Sequence, residues 1–297
     1  MSKISVLGSL NMDLVTTVER APNMGETVLG ENFKTVCGGK GGNQAMAIAR
    51  LGGNIEMLGC VGNDSYGKIL KENLKNDGAK TDNIEETQCS SGIAAITVSG
   101  GDNCIIVVKG ANDLVTKEYV DNNKDVIEES DYIVMQLEIP FETVEYAMQL
   151  SKKTNTKVVF NPSPMDKKCI SLIPYVDIFV VNEHEAGIVT GETVVTEKDA
   201  EIAIKKLLEM GAKTVVVTLG EKGCVYNSGD EFFHTPAVKT KAVDSTAAGD
   251  SFIGAMLVKL TEGADMKEAT EFASKVSSIV VSKLGATESI PYRKDIE

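Results

Sequence analysis

Short apolar runs alternate along most of this chain with longer stretches in which apolar residues recur three and four positions apart. The first pattern predicts buried strands, the second amphipathic helices. Lys3–Leu7 reads as a buried strand running into Gly8-Ser9-Leu10-Asn11-Met12-Asp13-Leu14. Val15–Arg20 and Glu26–Lys34 are too short and irregular for helices. They read as strands joined through Pro22-Asn23-Met24-Gly25. A helix is expected at about 44–51, a strand at Ile55–Val61, a helix at Tyr66–Asn76 and an extended connector at Ile84–Thr87. Ile93–Ser99 and Cys104–Lys109 flank Gly100-Gly101-Asp102-Asn103, a hairpin signal.

From Tyr132 onward the rhythm settles. Tyr132–Leu137 is followed by a helix at 141–153, and Val158–Phe160 by a helix at 166–173. Ile178–Val181 precedes helices at 184–190 and 197–210, and Thr214–Leu219 precedes a hairpin at about 222–234. Two last helices are expected at about 248–262 and 266–283. Buried strands alternating with amphipathic helices argue for a doubly wound, mainly parallel sheet. The early strands between 15 and 36 are expected to pair with the hairpin as a small second sheet. No internal repeat or low-complexity linker interrupts the chain, so residues 1–297 read as one α/β domain.

Polar residues gather where the strands end. Asn11 and Asp13 follow the first strand, Gln136 and Glu138 follow Met135, and Asn161 follows Phe160. Asn182 and Glu185 follow Val181, and Thr218 and Gly220 follow Val217. Any one of these is an ordinary polar turn. Together they line the carboxyl edge of one sheet, where ligands bind in open α/β folds. The run Gly38-Gly39-Lys40-Gly41-Gly42-Asn43-Gln44 opens the first helix. It is not a P-loop, because the lysine precedes the last glycines and no Ser or Thr follows it. Its glycines suggest close approach of the backbone to a small ligand, with Asn43 projecting from the helix start.

Composition narrows the partners. A net charge of −13 argues against nucleic acid and anionic membranes, which need a basic surface. The six cysteines form no C-x-x-C pair and read as reduced intracellular thiols. Met1-Ser2-Lys3 leads directly into Ile4–Leu7, with no sign of a signal peptide, so the cytoplasm is the expected compartment.

The stretch from Ala242 to Ala255, A-V-D-S-T-A-A-G-D-S-F-I-G-A, carries the most chemistry. Asp244, Ser245 and Thr246 are turn and cap residues, and Ala247, Ala248 and Gly249 have almost no side chain. From Asp250 the apolar positions take up helical spacing. A helix opening on small residues leaves unpaired N–H groups and partial positive charge, suited to a phosphate or to developing negative charge. Locally the stretch also reads as an ordinary helix start whose Asp and Ser cap the first turn. His184 and His234 sit in no metal-ligand spacing, and no nucleophile elbow is present. What remains is a carboxylate beside an anion-binding helix start, with oxygen-rich strand ends able to hold a polyhydroxylated molecule. That combination suits phosphoryl transfer.

The motifs G-S-L-N-M-D-L (8–14), G-G-K-G-G-N-Q-A (38–45), M-Q-L-E (135–138), N-E-x-E (182–185), T-L-G-x-x-G (218–223) and D-S-T-A-A-G-D (244–250) resemble those of the ribokinase-type family of sugar and nucleoside kinases, over essentially the whole chain. The resemblance implies a three-layer, Rossmann-like α/β domain with a small β-sheet lid, here about 14–36 and 92–109. It also implies a homodimer contact through that lid. Asp250 is similar to the base that takes the proton of a sugar 5-hydroxyl, and Ala247, Ala248 and Gly249 match the γ-phosphate anion hole. Asn11, Asp13, Gly39, Lys40, Asn43 and Glu138 fall where the family contacts the sugar. Asn182, Thr218, Gly220 and Gly223 fall on the ATP side with Gly249, and Glu185 resembles a residue that helps organise Mg²⁺. Asp244, Thr246, Val280, Lys283, Gly285 and Ser289 resemble positions that hold an activating K⁺, several through backbone carbonyls. Ser245 and Ser251 stand where the family often has Thr, which keeps the hydroxyl.

ATP and D-ribose are therefore the expected substrates. 2-Deoxyribose, another sugar or a nucleoside are the alternatives within the class, although no aromatic cluster near 11–43 offers a base pocket. A non-catalytic sugar-binding regulator on the same fold is expected to lose the base or the anion-hole glycine, and Asp250 and Gly249 are both retained.

Overall fold

A computed structural model describes residues 2–100 and 102–296; Met1, Glu297 and Gly101, one of the expected hairpin-turn residues, lie outside the described residues. The chain opens with β1 (Lys3–Leu7), β2 (Asn11–Val18) and β3 (Gly30–Gly38), then α1 (Lys40–Arg50) and β4 (Asn54–Gly62). α2 (Ser65–Asn76), β5 (Ile84–Thr87), β6 (Gly92–Ser99) and β7 (Asp102–Val108) follow. Two short helices, α3 (Lys117–Asn122) and α4 (Lys124–Glu128), lead to β8 (Tyr132–Met135) and α5 (Phe141–Ser151). Next come β9 (Lys157–Phe160), β10 (Ile178–Asn182), α6 (Glu183–Thr190), α7 (Glu197–Glu209) and β11 (Thr214–Thr218). β12 (Cys224–Ser228), β13 (Glu231–Thr235), α8 (Ala248–Thr261) and α9 (Met266–Val281) complete the chain.

The main sheet has the order β13-β12-β11-β10-β9-β8-β1-β4-β5. It is parallel except at β12 and β13, which are antiparallel to their neighbours. Its strands are apolar throughout because both faces are covered. Ile178 and Val180 of β10 join a core with Met46, Leu70, Phe252 and Val276, from α1, α2, α8 and α9. Phe179 and Val181 face the opposite core, with Tyr119, Ile127, Val144, Ala186 and Leu207 from α3 to α7. The three layers of the expected fold are thus present. Phe160 and Phe179, both 0% exposed, pack with ring centroids 5.9 Å apart; each such side chain contributes about 1.5–3 kcal/mol by burial.

β2 leaves the main sheet after a turn at Gly8–Leu10 and enters a second sheet of order β3-β2-β6-β7. Four local expectations need correcting. β2 begins at Asn11, so Asn11 and Asp13 are strand residues and not part of a turn. β3 begins at Gly30, leaving Glu26–Leu29 outside the strand. Ile84–Thr87 is not a free connector but pairs in parallel with β4 at the sheet edge. The expected helix at 166–173 is a 3-10 segment, Lys167–Tyr175. It contains Pro174, which lacks the N–H that an α-helix requires. All six cysteines are free, and among the described residues no helix is long and apolar enough to cross a membrane.

Candidate active site

Because β1 and β8 to β11 run parallel, their carboxyl ends share one edge, and the small sheet stands over it. Between them lies a cleft of about 830 Å³. It gathers Asn11, Asp13, Gly39, Lys40, Asn43, Glu138, Asn182, Glu185 and Thr218, together with Asp244, Thr246, Ala247, Gly249, Asp250 and Gly285. Gly220, Gly223, Ala248, Val280, Lys283 and Ser289 do not line it.

Two of the helix N-termini at this cleft, those of α1 and α8, are treated differently. α1 starts after Gly39, which is held at φ 83° and cannot carry a Cβ: one built there would lie 2.7 Å from the Asn11 nitrogen. Gly41 lies against the Gly8–Ser9 backbone, where a Cβ would come within 2.7 Å of three backbone atoms. Two of the four glycines in the run, Gly39 and Gly41, are therefore required by backbone meeting backbone. α1 has no acidic residue in its first turn, and Glu138 caps it from across the sheet. Its Oε2 accepts from the Lys40 N–H at 2.9 Å and from the Ser9 hydroxyl.

α8 has no such cap. Its N-cap, Ala247, sits at φ 61°, the only non-glycine residue with positive φ among those described. That conformation costs an L-residue about 1–2 kcal/mol. A Cβ on Gly249 would meet nothing within 4 Å, so the protein's own packing gives no reason for a glycine at this position. First-turn N–H groups have no intrahelical acceptor, and here the Ala248 N–H donates to the Ser245 carbonyl at 3.2 Å.

Asp250, 6% exposed, accepts from Asn43 Nδ2 on Oδ2 at 3.0 Å and from Gln44 Nε2 on Oδ1 at 2.9 Å. Burial would depress the Lys40 ammonium, but the charges of Asp250, Glu138 and Glu185 hold its pKa above the usual lysine value. Asp13 is the opposite case. Burial, reinforced by the charge of Glu138, pushes its carboxyl up to about 7. Gly38 makes room for that side chain, since a Cβ there would overlap the Asp13 carboxyl group.

The N-E-x-E motif has a structural use. Asn182 Oδ1 accepts from the Glu185 N–H at 2.8 Å and Glu185 Oε2 from the Asn182 N–H at 3.0 Å, a capping box that starts α6. Gly223, at φ 96°, is demanded by the backbone of Thr235–Ala237 packed against it. In the 244–289 loops, the Asp244 carboxylate accepts from the Thr246 N–H and hydroxyl at 2.9 and 2.6 Å and from the Gly285 N–H at 3.0 Å. Partial burial opposes ionisation of Asp244, but these hydrogen bonds hold its pKa below the usual carboxylate range. Val280 points into the core, Lys283 is exposed, and the Ser289 hydroxyl donates to the Ala286 carbonyl at 2.7 Å.

Two residues were invisible as parts of the site. Asn112 lies in no motif, yet its Oδ1 accepts from the Leu10 N–H at 2.9 Å and its Nδ2 donates to Asn11 Oδ1 at 2.7 Å. It imitates a neighbouring strand at the passage from β1 to β2. Because it occupies Asn11 Oδ1, the Asn11 amino group is the end left for a ligand. Gln44 sits inside a recognisable motif, but only the fold reveals that it meets Asp250.

The family model described as pfkB family carbohydrate kinase matches residues 1–293. A ribokinase of Bacillus subtilis is 40% identical over 298 residues, covering 100% of this chain and 99% of that protein. A deoxyribokinase of Salmonella typhi is 36% identical over 291 residues, covering 97% and 95%. The structure of an Arabidopsis thaliana ribokinase complexed with ribose and ATP superposes with a TM-score of 0.93 at 30% identity, covering 100% and 98%.

The two kinds of glycine give a paired test. Gly41→Ala is expected to lower stability by about 1–3 kcal/mol through overpacking. Gly249→Ala is expected to keep or raise it, by up to about 1 kcal/mol, while reducing sugar-dependent ATP turnover at least tenfold. Thermal melts and turnover on the same preparations check both; normal turnover in Gly249→Ala would show that the open space has no functional use.

Proposed function

The chain belongs to the pfkB family of carbohydrate kinases, and from that premise we propose that it transfers the γ-phosphoryl group of ATP to the 5-hydroxyl of D-ribose. It is an ATP-dependent sugar kinase. The observation that carries the finer reading is Asp250, a buried carboxylate in the first turn of an uncapped helix at the floor of the cleft. Asp250 takes the hydroxyl proton as the sugar oxygen attacks phosphorus. The N–H groups at Ala247, Ala248 and Gly249 stabilise the charge gathering on the transferred group. Lys40, in the middle of the cleft, offsets the carboxylates around it. Asn11, Asp13, Asn43, Gly39 and Glu138 hold the sugar beneath the small sheet, which serves as a lid. Asn182, Thr218, Gly220 and Gly223 belong to the nucleotide side.

Mg²⁺ bound with ATP would supply positive charge against its phosphate oxygens, and Glu185 would be the carboxylate of this chain to hold it through water. The donor set fits a monovalent cation in part. Asp244, Thr246 and Gly285 converge, and the carboxyl end of α9, rich in carbonyl oxygens, abuts them: the Val281 carbonyl accepts from the Val243 and Asp244 N–H groups. We assign K⁺ to this loop. Six free thiols suit a cytoplasmic setting.

The likeness to a deoxyribokinase supports 2-deoxyribose as the second candidate. ADP release with Mg-ATP, in K⁺ and in Na⁺, is to be measured with ribose, 2-deoxyribose, fructose and adenosine. Preference for ribose and activation by K⁺ are expected, and Asp250→Asn should lower kcat roughly 100- to 10,000-fold. Near-normal turnover in that variant would remove Asp250 as the base.

A sugar hydroxyl donating to Asp13 favours its ionised form and so lowers a pKa that the free protein holds near 7. Binding then releases a proton. Ribose affinity is expected to rise with pH up to about 7, by at most about tenfold per unit, and to level off above it. Titration calorimetry from pH 5.5 to 8.5 should show this dependence and its loss in Asp13→Asn.

The lid's edge strand β7 exposes Ile105, Ile106, Val107 and Val108 by 51, 69, 50 and 48%. Of these, Ile105 and Val107 line the cleft, whereas Ile106 and Val108 alternate with them; on the opposite edge strand, β3, Phe33 is 59% exposed and alternates with the cleft-lining Asn32 and Lys34. An unpaired apolar edge of this kind supports a homodimer through the lid. Sedimentation should give a dimer that Ile106→Lys converts to monomer; a wild-type monomer at tens of micromolar would refute the interface.

A further inference from the structure

The Asp250 carboxylate is held by two different kinds of partner. On one side, Gln44 Nε2 donates to Oδ1 at 2.9 Å, and Gln136 Nε2 donates to Gln44 Oε1 at 2.5 Å. Gln44 and Gln136 are both 0% exposed, and neither lines the cleft. On the other side, Asn43 Nδ2 donates to Oδ2 at 3.0 Å, and Asn43 does line the cleft.

The direction of the buried chain is fixed by chemistry. An ionised carboxylate only accepts, so Gln44 must turn its amino group to Asp250 and its carbonyl to Gln136, which must then donate. At the far end, Gln136 Oε1 has no partner and lies over Gly8, where any Cβ would overlap it. Asn43 Oδ1 is likewise buried without a partner. The Asn43 bond to Oδ2 is thus made by a cleft residue with an unused acceptor, whereas the bond to Oδ1 is anchored in the core.

We propose that the Gln136–Gln44 chain keeps Oδ1 of Asp250 permanently occupied and so assigns proton abstraction to Oδ2, the oxygen that Asn43 yields to the sugar hydroxyl. Gln44 and Gln136 are positioning residues that act through Asp250, and the inference rests on Asp250 being the base. In the step itself the hydroxyl O–H bond breaks and its proton goes to Oδ2. The sugar oxygen forms its bond to the γ-phosphorus, and the bond to the β,γ-bridging oxygen breaks, its electron pair leaving on ADP.

The test measures kcat and sugar KM in Gln44→Met, Gln136→Met, Gln136→Glu, the Gln44→Met/Gln136→Met double variant and Asp250→Asn, with thermal melts alongside. Gln44→Met is expected to lose about 10- to 100-fold in kcat, the worth of one hydrogen bond to a charged group, with KM within about twofold. Gln136→Met should lose about 3- to 10-fold and add nothing in the Gln44→Met background. Gln136→Glu is nearly isosteric but, once ionised, accepts where the native amide donates, so at a pH where the introduced carboxyl is charged it turns Gln44 round and aims a carbonyl at Asp250. It should therefore cost more in kcat than Gln136→Met, an order that loss of packing alone does not produce.

If Gln44→Met fails to fold, the two Gln136 variants decide. Equal kcat in Gln136→Met and Gln136→Glu, or additive losses in the double variant, would overturn the proposal while leaving an inactive Asp250→Asn to support the base. Full turnover in Asp250→Asn would instead overturn the base, and the proposal with it.

Discussion

The N-terminus of α8 is left uncapped, and the rest of the site is arranged around that fact. Helix starts are normally capped by the side chain of the residue just before the first turn, as Asp64 does for α2 and Asp265 for α9. α1 is neutralised too, from a distance, by Glu138. α8 alone combines no side-chain cap, a left-handed alanine before it and empty space above its glycine. Packing does not explain this. Gly254 allows α8 to lie close against α1, where a Cβ would come 2.7 Å from that of Ala47. The close fit brings the two N-termini to the same edge of the sheet, one capped by Glu138 and the other without a side-chain cap.

From that edge the small sheet follows. β2 is the continuation of β1, and Asn112 holds the crossing by treating the Leu10 peptide as a strand partner, accepting from its N–H and donating to its carbonyl. The same amide orients Asn11, and Gly38 on β3 gives Asp13 its space. The groups proposed to meet the sugar are thus fixed relative to the main sheet before any ligand enters. That lowers the ordering cost of binding.

The alternation of apolar strands and amphipathic helices was enough to read the class of fold, because a sheet covered on both faces leaves continuous apolar runs. Boundaries were less legible. Asn11 and Asp13 looked like turn residues because polar side chains following a buried strand signal a turn, whereas here a second strand, β2, begins at Asn11 in a second sheet after a break of three residues. The glycine run was recognisable as a motif, but its reason was not: Gly39 and Gly41 answer to a backbone that lies about thirty residues earlier in the sequence. The position of Asp250 beside a helix start was local information and could be read. Its contact with Gln44, 206 residues away, and the reach of Asn112 to Leu10, 102 residues away, exist only through tertiary packing.

The buried polar atoms without partners are the clearest sign of what the fold is built to do. A buried polar atom left unpaired costs about 1–3 kcal/mol. Among the described residues the unpaired side-chain atoms are Asn43 Oδ1, Gln136 Oε1, Ser251 Oγ and Arg50 Nε. Three of the four belong to Asp250's neighbour in sequence, to Asn43, which donates to its carboxylate, or to Gln136, which is linked to it through Gln44. The Arg50 group, by contrast, is part of a guanidinium otherwise bound to Asp77 and to the Thr287 and Ile290 carbonyls. A scaffold selected for stability alone would replace the Gln44–Gln136 pair with apolar side chains of similar volume and lose nothing in packing. Keeping two fully buried amides in line with one carboxylate is intelligible when the direction of their dipoles, and not their burial, is what the site requires.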